Sequence, residues 1–330
     1  MMSRRLLTIL AALAVLGTGL APGQALAQTA NQGWPTRGPI KLIIPFSAGS
    51  ATDLVPRIIF EQVGKQIGQT FVVENRVGAG GTLGVREVAK ADPDGYTVLA
   101  HSTSHVVTAS TYSNPGYDVR RDFTGISGLV SLPNVLVVPP NKYKSVKEMV
   151  DAGKASPNSL NYATAGAGSA AHLNAERLLM AAGFKATHVP FKGGPEALNE
   201  IMAGRLDFYF VPLPPARALM EGGKISALAV SGSTRASALP NIPTTIEAGF
   251  PNSDYNFWIG SWLPAKTPKE VVDRLNAEIA KALQDPGVKE RLGKLGADPL
   301  PMKPADFDAF VGKETDLNAE LVKAAGVQVN

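Results

Sequence analysis

Apolar and polar positions alternate between two periods along most of this chain. Leu42–Pro45, Phe71–Glu74 and Thr97–Ala100 are short β-prone runs spaced as in βαβ units. Between the first two, Val55, Ile59, Val63 and Ile67 recur every fourth residue, which predicts a helix from about Leu54 that Gly68 stops. Gly78-Ala79-Gly80-Gly81 reads as a turn before a short helix to Lys90, and Asp92-Pro93-Asp94-Gly95 as a tight turn. A second series follows, with strands at Val135–Val138, Asn161–Thr164, Thr187–Pro190, Phe208–Val211 and Ser226–Val230. Helical stretches separate them at Val146–Ala155, His172–Ala182, Pro195–Ala203 and about Ala216–Glu221. Two βα series predict two α/β lobes, each with a mostly parallel sheet flanked by helices. Tyr255 to Leu263 is a further strand-like run carrying Trp258 and Trp262, with packing or cleft lining as its two uses. The remainder is helical. Thr267-Pro268-Lys269-Glu270 has the form of a capping box, Val272, Leu275, Ile279 and Leu283 share a face, and Asp285-Pro286-Gly287 ends that helix. A second helix holds Val288, Leu292 and Leu295, and a last one runs from about Pro304 to Ala325.

The first residues break this pattern. Arg4 and Arg5 precede an apolar stretch from Leu6 to about Ala21, and Ala25-Leu26-Ala27 supplies small residues before Gln28. That is the layout of an export signal over residues 1–27, cleaved after Ala27, and the stretch is short for the roughly 20 residues of a membrane span. Losing it removes two arginines and no acid, so 32 basic against 28 acidic side chains become 30 against 28. A nearly balanced chain without a basic, aromatic-interleaved cluster is a poor partner for nucleic acid. There is no cysteine, which excludes disulfides, thiolate metal sites and a cysteine nucleophile. A mature chain of about 300 residues must then rest on its core, most naturally as two domains.

The candidate chemistry lies in turns. Pro45 to Asp53 joins the first strand to the first helix with hydroxyls and a flexible glycine but no Lys or Arg. A helix start carries partial positive charge and free N–H groups, so such a turn can hold a carboxylate without a cation, or can be a plain connection. Ala163 to His172 repeats the arrangement in the second series. Gly166, Gly168 and Ala171 also fit a relaxed dinucleotide fingerprint, but the next strand ends in Lys192-Gly193-Gly194, without the acid that would hold a ribose. Ala100 to His105 closes a third strand, and its Ser and Thr could serve a ligand or cap a helix. His101 and His105 would face each other only if that stretch were helical, and no acid completes a metal site beside them. His172 sits at a helix start, where it touches ligand or packs, and His188 belongs to a core strand. Asp207, ahead of Phe208, either accepts an N–H from a ligand or orients its loop. No Gly-x-Ser-x-Gly elbow, P-loop or marked carboxylate pair occurs. No cofactor or metal is expected, and no catalytic group is marked, although an acidic pair assembled from distant positions stays open.

Several blocks together resemble one family. They are Ile43-Ile44-Pro45-Phe46 with Gly49 and Thr52-Asp53; Val72-Val73-Glu74-Asn75-Arg76 with Gly78 to Gly81; and Asp94-Gly95-Tyr96-Thr97. Tyr162 with Gly166, Gly168, Ser169 and His172 follows, then Val189 to Gly194, Leu239 to Thr244 with Glu247-Ala248-Gly249, Trp258, and Pro264 with Thr267-Pro268. In number, order and spacing they resemble the extracytoplasmic solute receptors of tripartite tricarboxylate transporters, the Bug receptors. The resemblance implies a two-lobed periplasmic binding protein-like fold of type II, with residues 28–127 and 254–330 in one lobe and 128–253 in the other. It implies a monomer that pinches a small organic carboxylate, partly through water, and hands it to membrane subunits. Carried over by position, Phe46, Ser47, Ala48 and Gly49 match the first turn, and Ala165, Gly166, Ser169 and His172 the second; Ser102, Thr103 and Asp207 match cleft positions. Departures are Ser50 where the family often has glycine and Val211-Pro212 where an acid or amide often stands, which disfavours an amino-acid ligand. Trp262 replaces a smaller aliphatic residue and would leave room for an aromatic acid. The rival readings are a partner read by a membrane sensor and an exported α/β enzyme.

Overall fold

Two open sheets, each covered by helices, carry the chain. The structure is a computed structural model and describes residues 33–329; the expected signal segment, residues 1–27, lies outside them. The first series gives β1 (Ile40–Ile44), α1 (Ala51–Ile67), β2 (Phe71–Asn75), a tight turn at Ala79–Gly81, α2 (Thr82–Ala89), β3 (Thr97–Ser102), α3 (Ser104–Thr111) and β4 (Phe123–Leu132). The second gives β5 (Asn134–Val138), α4 (Val146–Ala155), β6 (Asn161–Thr164), α5 (Ala170–Ala182), β7 (Thr187–Pro190), α6 (Gly194–Met202), β8 (Phe208–Pro212), α7 (Leu213–Glu221) and β9 (Ser226–Val230). The chain then returns as β10 (Phe257–Pro264), α8 (Lys269–Ala282), α9 (Pro286–Lys294), β11 (Asp298–Pro299) and α10 (Pro304–Ala325).

Strand order is β11-β4-β10-β3-β1-β2 in the first sheet and β7-β6-β8-β5-β9 in the second. Both are mixed rather than mostly parallel. β1 pairs parallel with β2 and β3, and β6 with β7 and β8, while β10, β4, β11, β5 and β9 run antiparallel to their neighbours. Parallel strands need a helical crossover and so leave a βα pattern in sequence. β4 follows no such crossover and its apolar run is broken by Gly125 and Gly128, so it was not legible, whereas the apolar runs of β5, β9 and β10 were. β4 also carries glycines because α10 packs closely on this part of the sheet. A Cβ at Gly125 would lie 2.8 Å from Phe307 Cδ1, and one at Gly260 of β10 2.3 Å from its Cζ.

The expected division between residues 127 and 128 falls inside β4, which stays in the first sheet to Leu132. The chain changes sheet at Pro133 and returns between Val230 and Phe257. The Ile-, Val- and Leu-rich interior of β1, β3, β4, β10 and α1 forms the first core, and β5, β6 and β8 have apolar clusters on both faces. The capping box does not form: Thr267 Oγ1 donates backwards to Pro264 O at 2.7 Å, and Pro268 precedes the helix. Asp285, expected only to end a helix, caps the next one by accepting from Val288 N at 3.0 Å.

Candidate functional site

The carboxyl ends of β1, β3, β6 and β8 converge, and the turns leaving them form a cleft between the sheets. The first turn is fixed by Asp53, in the first turn of α1. Asp53 Oδ2 accepts from Gly49 N at 2.9 Å, and Oδ1 accepts from Arg57 Nε at 2.8 Å and Asn75 Nδ2 at 2.9 Å. Asn75 Nδ2 also donates to Phe46 O at 2.9 Å, so both sides of the turn are tied to one carboxylate. Ser50 is the residue before α1, but its hydroxyl caps nothing and is buried without a partner among the described residues.

The turn after β3 divides its labour. Ser102 and Ser104 face the cleft. Thr103 instead joins β10: its amide donates to Trp258 O at 2.9 Å, and its Oγ1 accepts from Trp258 N at 3.0 Å. Ser104 Oγ reaches across the cleft and accepts from Ala170 N, at the start of α5, at 3.0 Å. The β6 turn therefore meets the β3 turn directly.

In the second lobe, Gly166 N donates to Thr164 Oγ1 at 3.2 Å, and Ser169 Oγ caps α5 by accepting from His172 N at 3.4 Å. His172 Nδ1 accepts from Gly168 N at 3.1 Å, and its ring stacks on His188 with centroids 3.8 Å apart. His188, expected in the core, lies half-buried on edge strand β7 and hydrogen-bonds Thr164 Oγ1 at 2.7 Å. Burial, and secondarily His188, lowers His172 to about 3, while burial lowers His188 to about 4. His172 is thus neutral near pH 7 and braces the turn from behind; it does not line the cavity.

Further contacts draw the lobes together at the cleft mouth. Ser47 Oγ donates to Glu196 Oε1 at 3.1 Å, and Tyr112 OH to Ala167 O at 3.1 Å. Gly166, at φ +126°, backs onto Gly80 so closely that a Cβ would lie 3.2 Å from the Gly80 Cα. Ala48 is exposed on the rim, and a Cβ at Gly49 would come 3.9 Å from Pro195 of the opposite lobe. Behind this mouth lies a small cavity of about 40 Å³. Phe46, Ser102, Ala165 and Ser169 line it, together with Ser50, Ser104, Ala171, Tyr209 and Val211. The crossing segments contribute Asn134 and Phe257. No Asp, Glu, Lys or Arg is among the lining residues.

Three expectations need correction. Asp207 precedes β8, whereas the cleft lies at that strand's other end. It accepts from Lys142 Nζ at 2.5 Å and Asn161 N at 2.6 Å, fixing the start of β6. Trp262 is sealed in the first core, 5.2 Å from the Phe307 ring and 4.4 Å from His105, so its size says nothing about room for an aromatic ligand. His101 and His105 do approach, at 5.7 Å between centroids, although His101 lies in β3 and only His105 is helical. They lie behind Phe46, whose ring is 5.4 Å from that of His101. Among the described residues no His, Cys, Asp and Glu cluster suits a metal. Asn134 was missed because its signal is slight: one amide opening the apolar run Val135–Val138.

The sequence model of the tripartite tricarboxylate transporter family receptor matches residues 55–327. The chain belongs to this family. It is 38% identical over 283 residues, 83% of its length and 84% of the relative's, to the UPF0065 protein of the tcbD-tcbE intergenic region of a Pseudomonas species. It is 31% identical over 320 residues to protein BugT of Bordetella pertussis, covering 96% of this chain and 98% of that one. Among solved structures, the periplasmic binding protein BugD superposes with a TM-score of 0.84 at 34% identity, covering 88% of this chain and 99% of that one. Rpa4515 of R. palustris with adipate gives a TM-score of 0.86 at 32% identity, covering 90% and 99%. MatC of Rhodopseudomonas palustris with bound malate gives 0.83 at 30%, covering 87% and 99%. The receptor is a periplasmic solute-binding protein with the two-lobed α/β fold, and not an enzyme.

Proposed function

We propose that this receptor captures a small organic carboxylate between its lobes and delivers it to the membrane subunits of a tripartite tricarboxylate transporter, after export and cleavage behind Ala27. The carrying observation is that the starts of α1 and α5, with Ser50, Ser102, Ser104 and Ser169, face one cavity that no charged side chain lines. Helix-start amides and hydroxyls favour a negative group, and in a water-poor cleft these bonds strengthen. Without a buried cation the anion is held by many modest bonds, which suits capture followed by release. Phe46, Val211 and Phe257 offer apolar surface to the carbon skeleton. The adipate and malate carried by two structural neighbours agree with this ligand class.

A thermal-shift screen of the mature protein tests the reading. Mono-, di- and tricarboxylates, aromatic acids and acidic amino acids form one arm, and amines and neutral sugars the other. A tight carboxylate present at about 100 times its Kd adds about 2.7 kcal/mol to apparent stability and raises Tm by a few degrees. Stabilisation by amines or sugars alone would overturn the assignment.

A further inference from the structure

Asn134 has no structural reason to be polar. It opens β5 directly after the chain crosses between sheets, where its carbonyl accepts from Ser231 N at 2.9 Å and it stands opposite Pro212 of β8. The side chain is 1% exposed, and neither Oδ1 nor Nδ2 has a partner among the described residues. A buried amide left in that condition is destabilising, and an apolar residue of similar size would serve a purely structural position better. What Asn134 does face is the cleft cavity. Ser50 Oγ, also buried and unpartnered, lines the same cavity.

Resting on the carboxylate reading above, we propose that Asn134 is a specificity-determining residue for a neutral polar group on the ligand, one that both donates and accepts a hydrogen bond. The choice of group follows from the amide itself. Its Nδ2 donates and its Oδ1 accepts. A second carboxylate would satisfy the donor and leave Oδ1 facing another acceptor; an ammonium would do the reverse. A hydroxyl or a carboxamide satisfies both atoms. Nothing charged lines the cavity to offset a second full charge. The ligand class is therefore a monocarboxylate of a few carbons bearing a hydroxyl or carboxamide.

Isothermal titration of the mature protein tests this with matched probes: succinamate and glutaramate, γ-hydroxybutyrate, butanoate and pentanoate, succinate and glutarate. The wild type should bind a monoamide or the hydroxy acid at least about tenfold tighter than the plain acid of the same length. Asn134→Leu should shrink that ratio to within about twofold. Its unfolding temperature without ligand should not fall, since an unpartnered amide has gone; Asn134→Ala repeats the comparison with the smaller side chain. An unchanged ratio in both variants, or wild-type preference for succinate over succinamate, overturns the role of Asn134 and leaves the carboxylate reading standing. Failure of all these acids to bind the wild type overturns both.

Discussion

At the scale of single residues, the cleft depends on side chains that never meet the ligand. Asp53 is the clearest, holding Gly49, Arg57 and Asn75 at once. Asp53→Ala would leave the Gly49 amide and the Asn75 amide seeking new partners. Urea unfolding should show a loss of about 2–3 kcal/mol, the range for hydrogen bonds to a charged group. Gly166 works by being small. Its φ of +126° and its 3.2 Å approach to Gly80 leave no place for a side chain. Gly166→Leu should abolish carboxylate binding by titration calorimetry while far-UV circular dichroism stays that of the wild type. Normal affinity in that variant would remove this turn from the site.

At the scale of elements, closure depends on how tightly one helix start seats against the opposite turn. Gly193, before α6, lies where a Cβ would come 2.5 Å from Ser47 Oγ. Gly193→Ala should hold the lobes apart and weaken binding at least about tenfold, equivalent to 1.4 kcal/mol. Ser47→Gly in the same chain should recover most of that loss, because the obstruction is steric; additive losses would place the fault elsewhere. The βα periodicity made the helices and parallel strands legible, since Val55, Ile59 and Val63 do line the buried face of α1. It could not reveal β4, whose apolar positions are interrupted by Gly125 and Gly128, nor that Phe307 of α10 fills the space left at Gly125 and Gly260. Phe307→Ala should cost about 3–5 kcal/mol, measured by chemical unfolding.

For the whole molecule, acid stability and ligand binding should respond differently to pH. His105 is fully buried, and burial lowers its value from 6.5 to about 3. The unfolded chain then takes up the proton first, so this stability is complete above about pH 6.5 and is lost as pH falls towards 3. At pH 5 the loss from His105 is about 2 kcal/mol. Urea unfolding at about pH 7 and pH 5 should show wild type losing that much more than His105→Phe. Glu176, Glu314 and Asp308, whose values are raised chiefly by burial, act in the opposite sense, which is why the difference between two proteins is the readout. Carboxylate affinity should stay flat from about pH 6 to 8, because no group that titrates there lines the cavity. A steep change would mean that His172 or His188 reaches the ligand.

The sequence by itself determined the two βα series, the helix starts after β1 and β6, and the lack of any cation in those turns, because periodicity, capping chemistry and composition are local properties. It also carried enough family pattern to mark a receptor. Only the tertiary structure decided which polar residues share the cavity. Asp207 and Ser169 look alike as polar residues beside strands, yet they stand at opposite ends of their sheet. Asn134 and Phe257 join the site only because two chain crossings, far apart in sequence, run side by side beneath it. Burial of Trp262 and exposure of Ala48 likewise follow from packing over long sequence distances, which no local pattern encodes.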